Sequence, residues 1–316
     1  MFHTGLKRFE TSDVNNFTSH TGIRLRKLIH PIWGPLLKAF TAKKVIVEAY
    51  PKLEKEKAYI FAVNHSFDED IISALQTVDR GAYMLFGTTD QMEHNPLCLL
   101  LWAYGMIYVN RLDKNSRNDA IKKMAKILQS GSSVILFPEG AYNNSENQLI
   151  MPLFSSPYIL NKELGIEVVP MISFNDSGSD KIYIHVGNPI NLAQYEKYEA
   201  MEILRDEMCT IVYMMLEKHT LPLKRKDLGI NPRMAYMEER QKVYEYQKWH
   251  GDVWDEELSY YSGHGVTTPQ QSRLYVDRIN VTMKNVQVLT DTLVRREEDK
   301  CYDFKEHLRK NMKLYT

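Results

Sequence analysis

The stretch Tyr59-Ile60-Phe61-Ala62-Val63-Asn64-His65-Ser66-Phe67-Asp68-Glu69-Asp70 reads as an apolar strand that runs straight into the start of a helix. An unbroken apolar run of this length suits a strand buried on both faces. Ser66 and Glu69 fit the S-x-x-E capping box, which makes Ser66 the N-cap, Glu69 the third helical residue and Asp70 the fourth. The residue before an N-cap and the fourth helical residue meet across the first turn, as in a hydrophobic staple. Here that pair is His65 and Asp70. One ring nitrogen can bond the carboxylate while the other is left to take a proton from a hydroxyl, the arrangement of a general base held in the right tautomer. A histidine that only satisfies a helix N-terminus fits the same residues. His250 and Asp255 repeat the spacing with no strand before them and no capping box, and read as surface or turn chemistry.

A second buried strand, Ser132-Ser133-Val134-Ile135-Leu136-Phe137, leads into Pro138-Glu139-Gly140. A carboxylate at the carboxyl end of a strand stands where open α/β sheets hold their ligands, so Glu139 can accept hydrogen bonds from substrate hydroxyls. Gly140 lets a ligand approach the backbone closely. Pro-Glu-Gly is equally a plain turn. Two more apolar strands follow the same style, Gly105-Met106-Ile107-Tyr108-Val109-Asn110-Arg111 and Val168-Val169-Pro170-Met171-Ile172.

In order and spacing, these four segments resemble the glycerolipid acyltransferase family. Asn64, His65 and Asp70 match its N-H-x-x-x-x-D block, Arg111 its strand ending in Arg, Phe137 to Gly140 its F-P-E-G block, and Pro170 its final apolar strand with Pro. The resemblance covers about residues 45 to 215. It implies transfer of a fatty acyl group from acyl-CoA or acyl-carrier protein to a hydroxyl of a glycerol-phosphate-type acceptor such as lysophosphatidate. It further implies His65 and Asp70 as catalytic, Asn64, Arg111, Glu139 and Gly140 as substrate-binding, no metal, and no cofactor beyond the thioester co-substrate. A non-catalytic membrane-surface lipid-binding protein that keeps this fold is the alternative.

One departure concerns the acceptor. The family commonly continues F-P-E-G with Thr and Arg, whereas this chain has Ala141 and Tyr142. A cation that often sits near the acceptor's phosphate is therefore missing. Arg111, Lys114 and Arg117 remain to hold a phosphate, which guanidinium groups bind bidentately. In the bland reading Arg111 pairs with Asp113, and Lys114 and Arg117 are solvated. For an uncharged acceptor, Tyr142 and Asn143 are the neutral groups at hand.

With 316 residues, 44% hydrophobic and 25% charged, the chain can bury one substantial core plus an appendage. Forty basic and forty acidic residues create no global field for nucleic acid. Cys98, Cys209 and Cys301 are odd in number and widely spaced, so neither a disulfide framework nor a zinc site is suggested. There is no G-x-S-x-G elbow, no phosphate-binding G-x-x-x-x-G-K-[ST] loop and no H-E-x-x-H helix. The first residues lack the apolar core of a signal peptide, and the expectation is a cytoplasmic protein, peripheral on the cytoplasmic membrane face.

Strands are expected at 44–47, 59–63, 82–86, 106–110, 132–137, 168–174 and 181–186, with helices at 68–77, 97–104, 116–129, 153–164 and 201–219. That alternation predicts an α/β fold with a mainly parallel or mixed sheet covered by helices on both faces. The uncharged run from Asn95 to Asn110 is too short to span a membrane and suits a core helix or the lining of an acyl chain. Three parts are expected: an amphipathic N-terminal helical segment (1–44), an acyltransferase domain (45–222), and a helical C-terminal extension of unreadable role (223–316). In the first, Leu25, Leu28, Ile29, Ile32, Trp33, Leu36, Leu37 and Phe40 form one apolar stripe flanked by Arg and Lys, with Pro31 and Pro35 to split it. Residues 23–44 can thus lie on a membrane surface or pack on the protein's own core.

Overall fold

The computed structural model describes residues 21–23, 25–26, 28, 43–67, 69–78, 82–87, 104–111, 113–143, 148–176, 179–219 and 231–248. Seven strands form one sheet: β1 (Lys44–Ala49), β2 (Ile60–Val63), β3 (Tyr83–Gly87), β4 (Met106–Val109), β5 (Val134–Leu136), β6 (Val168–Asn175) and β7 (Lys181–Val186). Their spatial order is β1-β7-β6-β2-β5-β3-β4. Only the β6/β7 hairpin is antiparallel, every other neighbouring pair being parallel. The expected mainly parallel α/β sheet is present.

The helices are α1 (Glu69–Thr77), α2 (Lys114–Gln129), α3 (Ser156–Leu164), α4 (Lys197–His219) and α5 (Pro232–Tyr246). Side-chain alternation in β2 shows why both faces are covered. Ile60 and Ala62 join the apolar cluster that holds residues of α2, α3, α4 and α5, while Phe61 and Val63 join the cluster that holds Ala74 and Leu75 of α1. All residues of β2 and β6 are buried, as continuous apolar runs in the middle of a two-sided sheet must be. Pro170 sits in β6, where its missing N–H would weaken a ladder. Its carbonyl still accepts from Gly187 N–H (2.8 Å), and a Cβ on Gly187 would lie 2.8 Å from the proline ring, so only glycine fits where the chain leaves β7.

Glycine closes two of the helices. Gly131 follows α2 at φ +79°, and Gly165 ends α3 at φ +67°, left-handed conformations that glycine adopts without strain. Residues 97–103 of the helix expected at 97–104, His250 with Asp255, and residues 29–42 of the apolar stripe lie outside the described residues. Cys209 is a buried thiol of α4. Among the described residues no helix is long and apolar enough to cross a membrane.

The topology fixes where chemistry can occur. β2, β5, β6, β3 and β4 all point their carboxyl ends to one edge of the sheet, and the segments that leave β2, β4 and β5 there carry the polar motifs. A crevice outside the carboxyl ends is where such sheets bind ligands.

Candidate active site

His65 leaves the end of β2 and turns back onto the start of α1. Its Nδ1 lies 3.0 Å from Asp70 Oδ2. Asp70 is wholly buried, and the same oxygen accepts the backbone N–H groups of Ser66 (2.8 Å) and Phe67 (3.3 Å). The expected capping box is not formed. The helix begins one turn later than Ser66, so Asp70 caps the entry turn, Glu69 lies 3.9 Å from Lys43 Nζ, and Ser66 Oγ accepts from Asn64 Nδ2. The His65–Asp70 pairing survives this correction because the carboxylate reaches back over the turn. With Asp70 ionised, Nδ1 carries the proton and Nε2 presents its lone pair. Among the described residues no group bonds Nε2, and the side chain is 15% exposed.

The third motif holds the first. Glu139 Oε1 accepts the His65 N–H (2.8 Å), and the His65 carbonyl accepts the Asn143 N–H (2.7 Å). Both sides of the His65 peptide are thus clamped by one turn, in which Gly140 adopts φ +76° and donates its N–H to the Phe137 carbonyl. Two rings from the same segment flank the imidazole, Tyr142 with centroids 3.9 Å apart and Phe137 at 4.6 Å. Tyr142 therefore stands against the base itself.

Several expected substrate contacts are placed otherwise. Glu139 is 0% exposed, and its second oxygen accepts Met151 N–H (2.8 Å), so it holds backbone instead of facing an acceptor. Burial pushes its carboxyl up to about 7, with the two backbone hydrogen bonds pulling the other way. Asn64 is also buried and spends its amide on Ser173, accepting the N–H at 2.7 Å and donating to the carbonyl at 3.1 Å. It ties the end of β2 to β6. Asn143 donates its amide to the carbonyls of Gln148 and Leu149 and is buried, which removes it as a neutral acceptor contact.

Arg111 stands at the end of β4, half-buried, and donates through Nη1 to the Gly140 carbonyl at 2.6 Å. It does not take the bland alternative of pairing with Asp113, whose carboxylate caps α2 by accepting Asn115 N–H. Arg117 donates to the Arg111 carbonyl, and Lys114 is exposed. The structure thus brings His65, Asp70, Glu139, Gly140 and Arg111 to one edge of the sheet. Asn143, Met151 and Ser173 were invisible as partners because each acts mainly through backbone that meets the site only after folding.

Residues 44–173 match the family model described as Acyltransferase. These residues are an acyltransferase domain. A relative from Borreliella burgdorferi, 1-acyl-sn-glycerol-3-phosphate acyltransferase, is 25% identical over 179 residues, covering 52% of this chain and 70% of its own. The crystal structure of the 1-acyl-sn-glycerophosphate acyltransferase PlsC from Thermotoga maritima superposes with a TM-score of 0.50 at 14% identity, covering 68% of this chain and 92% of the other, and shows the same fold. The resemblance to glycerolipid acyltransferases drawn from the four motifs is borne out, and the chain is an O-acyltransferase. The matched residues include β1 to β5 and most of β6, and β7, which completes the same sheet, follows them together with α4 and α5.

Proposed function

We propose that this acyltransferase moves a fatty acyl group from a thioester, acyl-CoA or acyl-carrier protein, to the free hydroxyl of a lysophosphatidate-type acceptor. The observation that carries this reading is the His65 imidazole, fixed by Asp70 through Nδ1 and clamped at its backbone, with Nε2 unbonded among the described residues. Nε2 takes the hydroxyl proton as the oxygen attacks the thioester carbonyl, and Asp70 stabilises the imidazolium. Collapse of the tetrahedral oxyanion breaks the C–S bond, and the imidazolium returns its proton to the leaving thiolate. Glu139 and Asn64 serve as positioning residues.

Arg111 supplies the cation for the acceptor's phosphate. Its anchor on the Gly140 carbonyl holds the guanidinium beside the His65 turn, and a guanidinium is the group whose planar fork matches a phosphate. Membrane attachment through residues 23–44 brings the site to lipid at the cytoplasmic face. Leu25 and Leu28, 55% and 75% exposed, support that reading, although Ile23 of the same stripe segment is buried.

Turnover of acyl-CoA with lysophosphatidate, followed by lipid analysis, tests the proposal. Formation of phosphatidate by the parent protein and not by His65→Ala is expected. No product with any lysophospholipid or monoacylglycerol would leave a lipid-binding protein instead.

A further inference from the structure

Residues 231–248, well past the matched acyltransferase stretch, reach back behind the active site. α5 docks on the domain through Val243 in the core, an Arg240–Glu217 ion pair to α4, and Gln247, whose amide pairs with Asn175 at the end of β6. The next residue, Lys248, is only 7% exposed. A buried ammonium is costly unless it is bonded. Its Nζ donates to the Gln148 carbonyl and lies 4.3 Å from the Tyr244 ring centroid.

Gln148 begins the 148–151 loop, which lies directly behind Glu139. The loop's carbonyls are held from outside one after another: Gln148 by Lys248 and Asn143, Leu149 by Asn143, and Ile150 by Arg205 Nε and Nη2 at 2.9 and 2.6 Å. Met151 then donates its N–H to Glu139, whose other oxygen holds the His65 N–H. Asn143, bonded to the same loop through its side chain, holds the His65 carbonyl through its backbone. Displacing this loop moves both clamps on the base.

We propose that Lys248, carried by a segment outside the acyltransferase domain, is a positioning residue for the transfer reaction: it pins the 148–151 loop against Glu139 and thereby sets the pose of His65. Residues 231–248 are on this account part of the catalytic unit. The inference rests on the acyltransferase reading, and the test separates the two. In the full-length protein, Lys248→Met lowers kcat about 10- to 100-fold, the scale of a small misplacement of a catalytic group, with KM for acyl-CoA and acceptor changed less than about threefold. Lys248→Arg, which keeps a charged donor, recovers most of the rate. Lys242→Met, on the solvent side of α5 where the side chain is 72% exposed, matches the parent.

The second arm needs no turnover: the His65 imidazole NMR signals shift in Lys248→Met and return in Lys248→Arg. If Lys248→Met does not fold, Lys248→Gln takes its place with the same expectations, and failure of that variant to fold overturns the proposal in favour of an architectural lysine. A folded Lys248→Met with parental kcat and parental His65 signals also overturns it. A parent protein without any acyl turnover refutes the function and leaves the NMR arm to decide Lys248.

Discussion

Two histidine–carboxylate pairs in this molecule have nearly the same length and opposite surroundings. His65 and Asp70 meet at 3.0 Å, His219 and Glu48 at 3.1 Å. In the first, the acid is wholly buried and bonded to two backbone N–H groups, it uses Nδ1, and it leaves Nε2 at the carboxyl edge of the sheet. In the second, Nε2 is the nitrogen consumed, Glu48 is shared with Lys218 at 2.9 Å, and the ring stacks on Tyr183 with centroids 3.8 Å apart and packs near Phe174. The lesson is that a short histidine–carboxylate contact does not define a base. What matters is which nitrogen remains and what lies in front of it.

The comparison breaks most sharply at the base. His65→Ala is expected to cut acyl transfer by about 10²- to 10⁴-fold, the usual worth of a positioned general base, whereas His219→Ala stays within about threefold of the parent. Steady-state kinetics on both proteins decides it, and an active His65 variant beside a dead His219 variant would reverse the assignment. Asp70→Asn sharpens the point. Its oxygen can still accept from the entry turn, so the fold holds while the imidazole loses its anionic partner and the rate falls by a similar order.

A smaller effect is expected at the acceptor. Arg111→Ala should raise the acceptor's KM about tenfold with less effect on the donor, and Arg111→Lys should rescue it only in part because an ammonium cannot make the bidentate pair. Equal turnover of monoacylglycerol and lysophosphatidate would refute the phosphate role. At the second pair, His219→Leu is expected to leave kcat unchanged and cost about 1 kcal/mol of stability from the lost stacking and ion pair, read as a lower denaturant midpoint.

The smallest expected effect is on pH dependence, where the two clusters differ in sign. Burial pushes the Glu139 carboxyl up to about 7 from 4.5, so its native form binds a proton that the unfolded form has already lost between those values. Its favourable contribution is full below 4.5 and is lost as pH rises to about 7. Burial also pushes Glu48 up, but the hydrogen bonds from Lys218 and His219 outweigh it and hold that carboxyl below 4.5. Its contribution is present above 4.5 and is lost as pH falls through the lowered value. Chemical denaturation from pH 4 to 8 on Glu139→Gln should show a flatter decline above 4.5, and Glu48→Gln a flatter rise below it. Swapped slopes would invert the electrostatic contrast.

The sequence by itself determined the order of strands and helices, the buried character of β2 and β5, and the pairing of His65 with Asp70. All of these depend on residues close in the chain: apolar runs, a glycine after a helix, and a carboxylate one turn from an imidazole. It misjudged the local device, since Ser66 and Glu69 fit a capping box whose bonds Asp70 made instead. Only the tertiary structure decided that Glu139 and Asn64 face inward to hold backbone, that Tyr142 lies against the imidazole, and that Lys248 reaches the loop behind Glu139. Those outcomes depend on backbone groups 74, 100 or 109 residues apart coming to the same edge of the sheet. No periodicity or spacing encodes such meetings, because a backbone N–H or carbonyl is the same in every residue that has one, and its partner is chosen by packing.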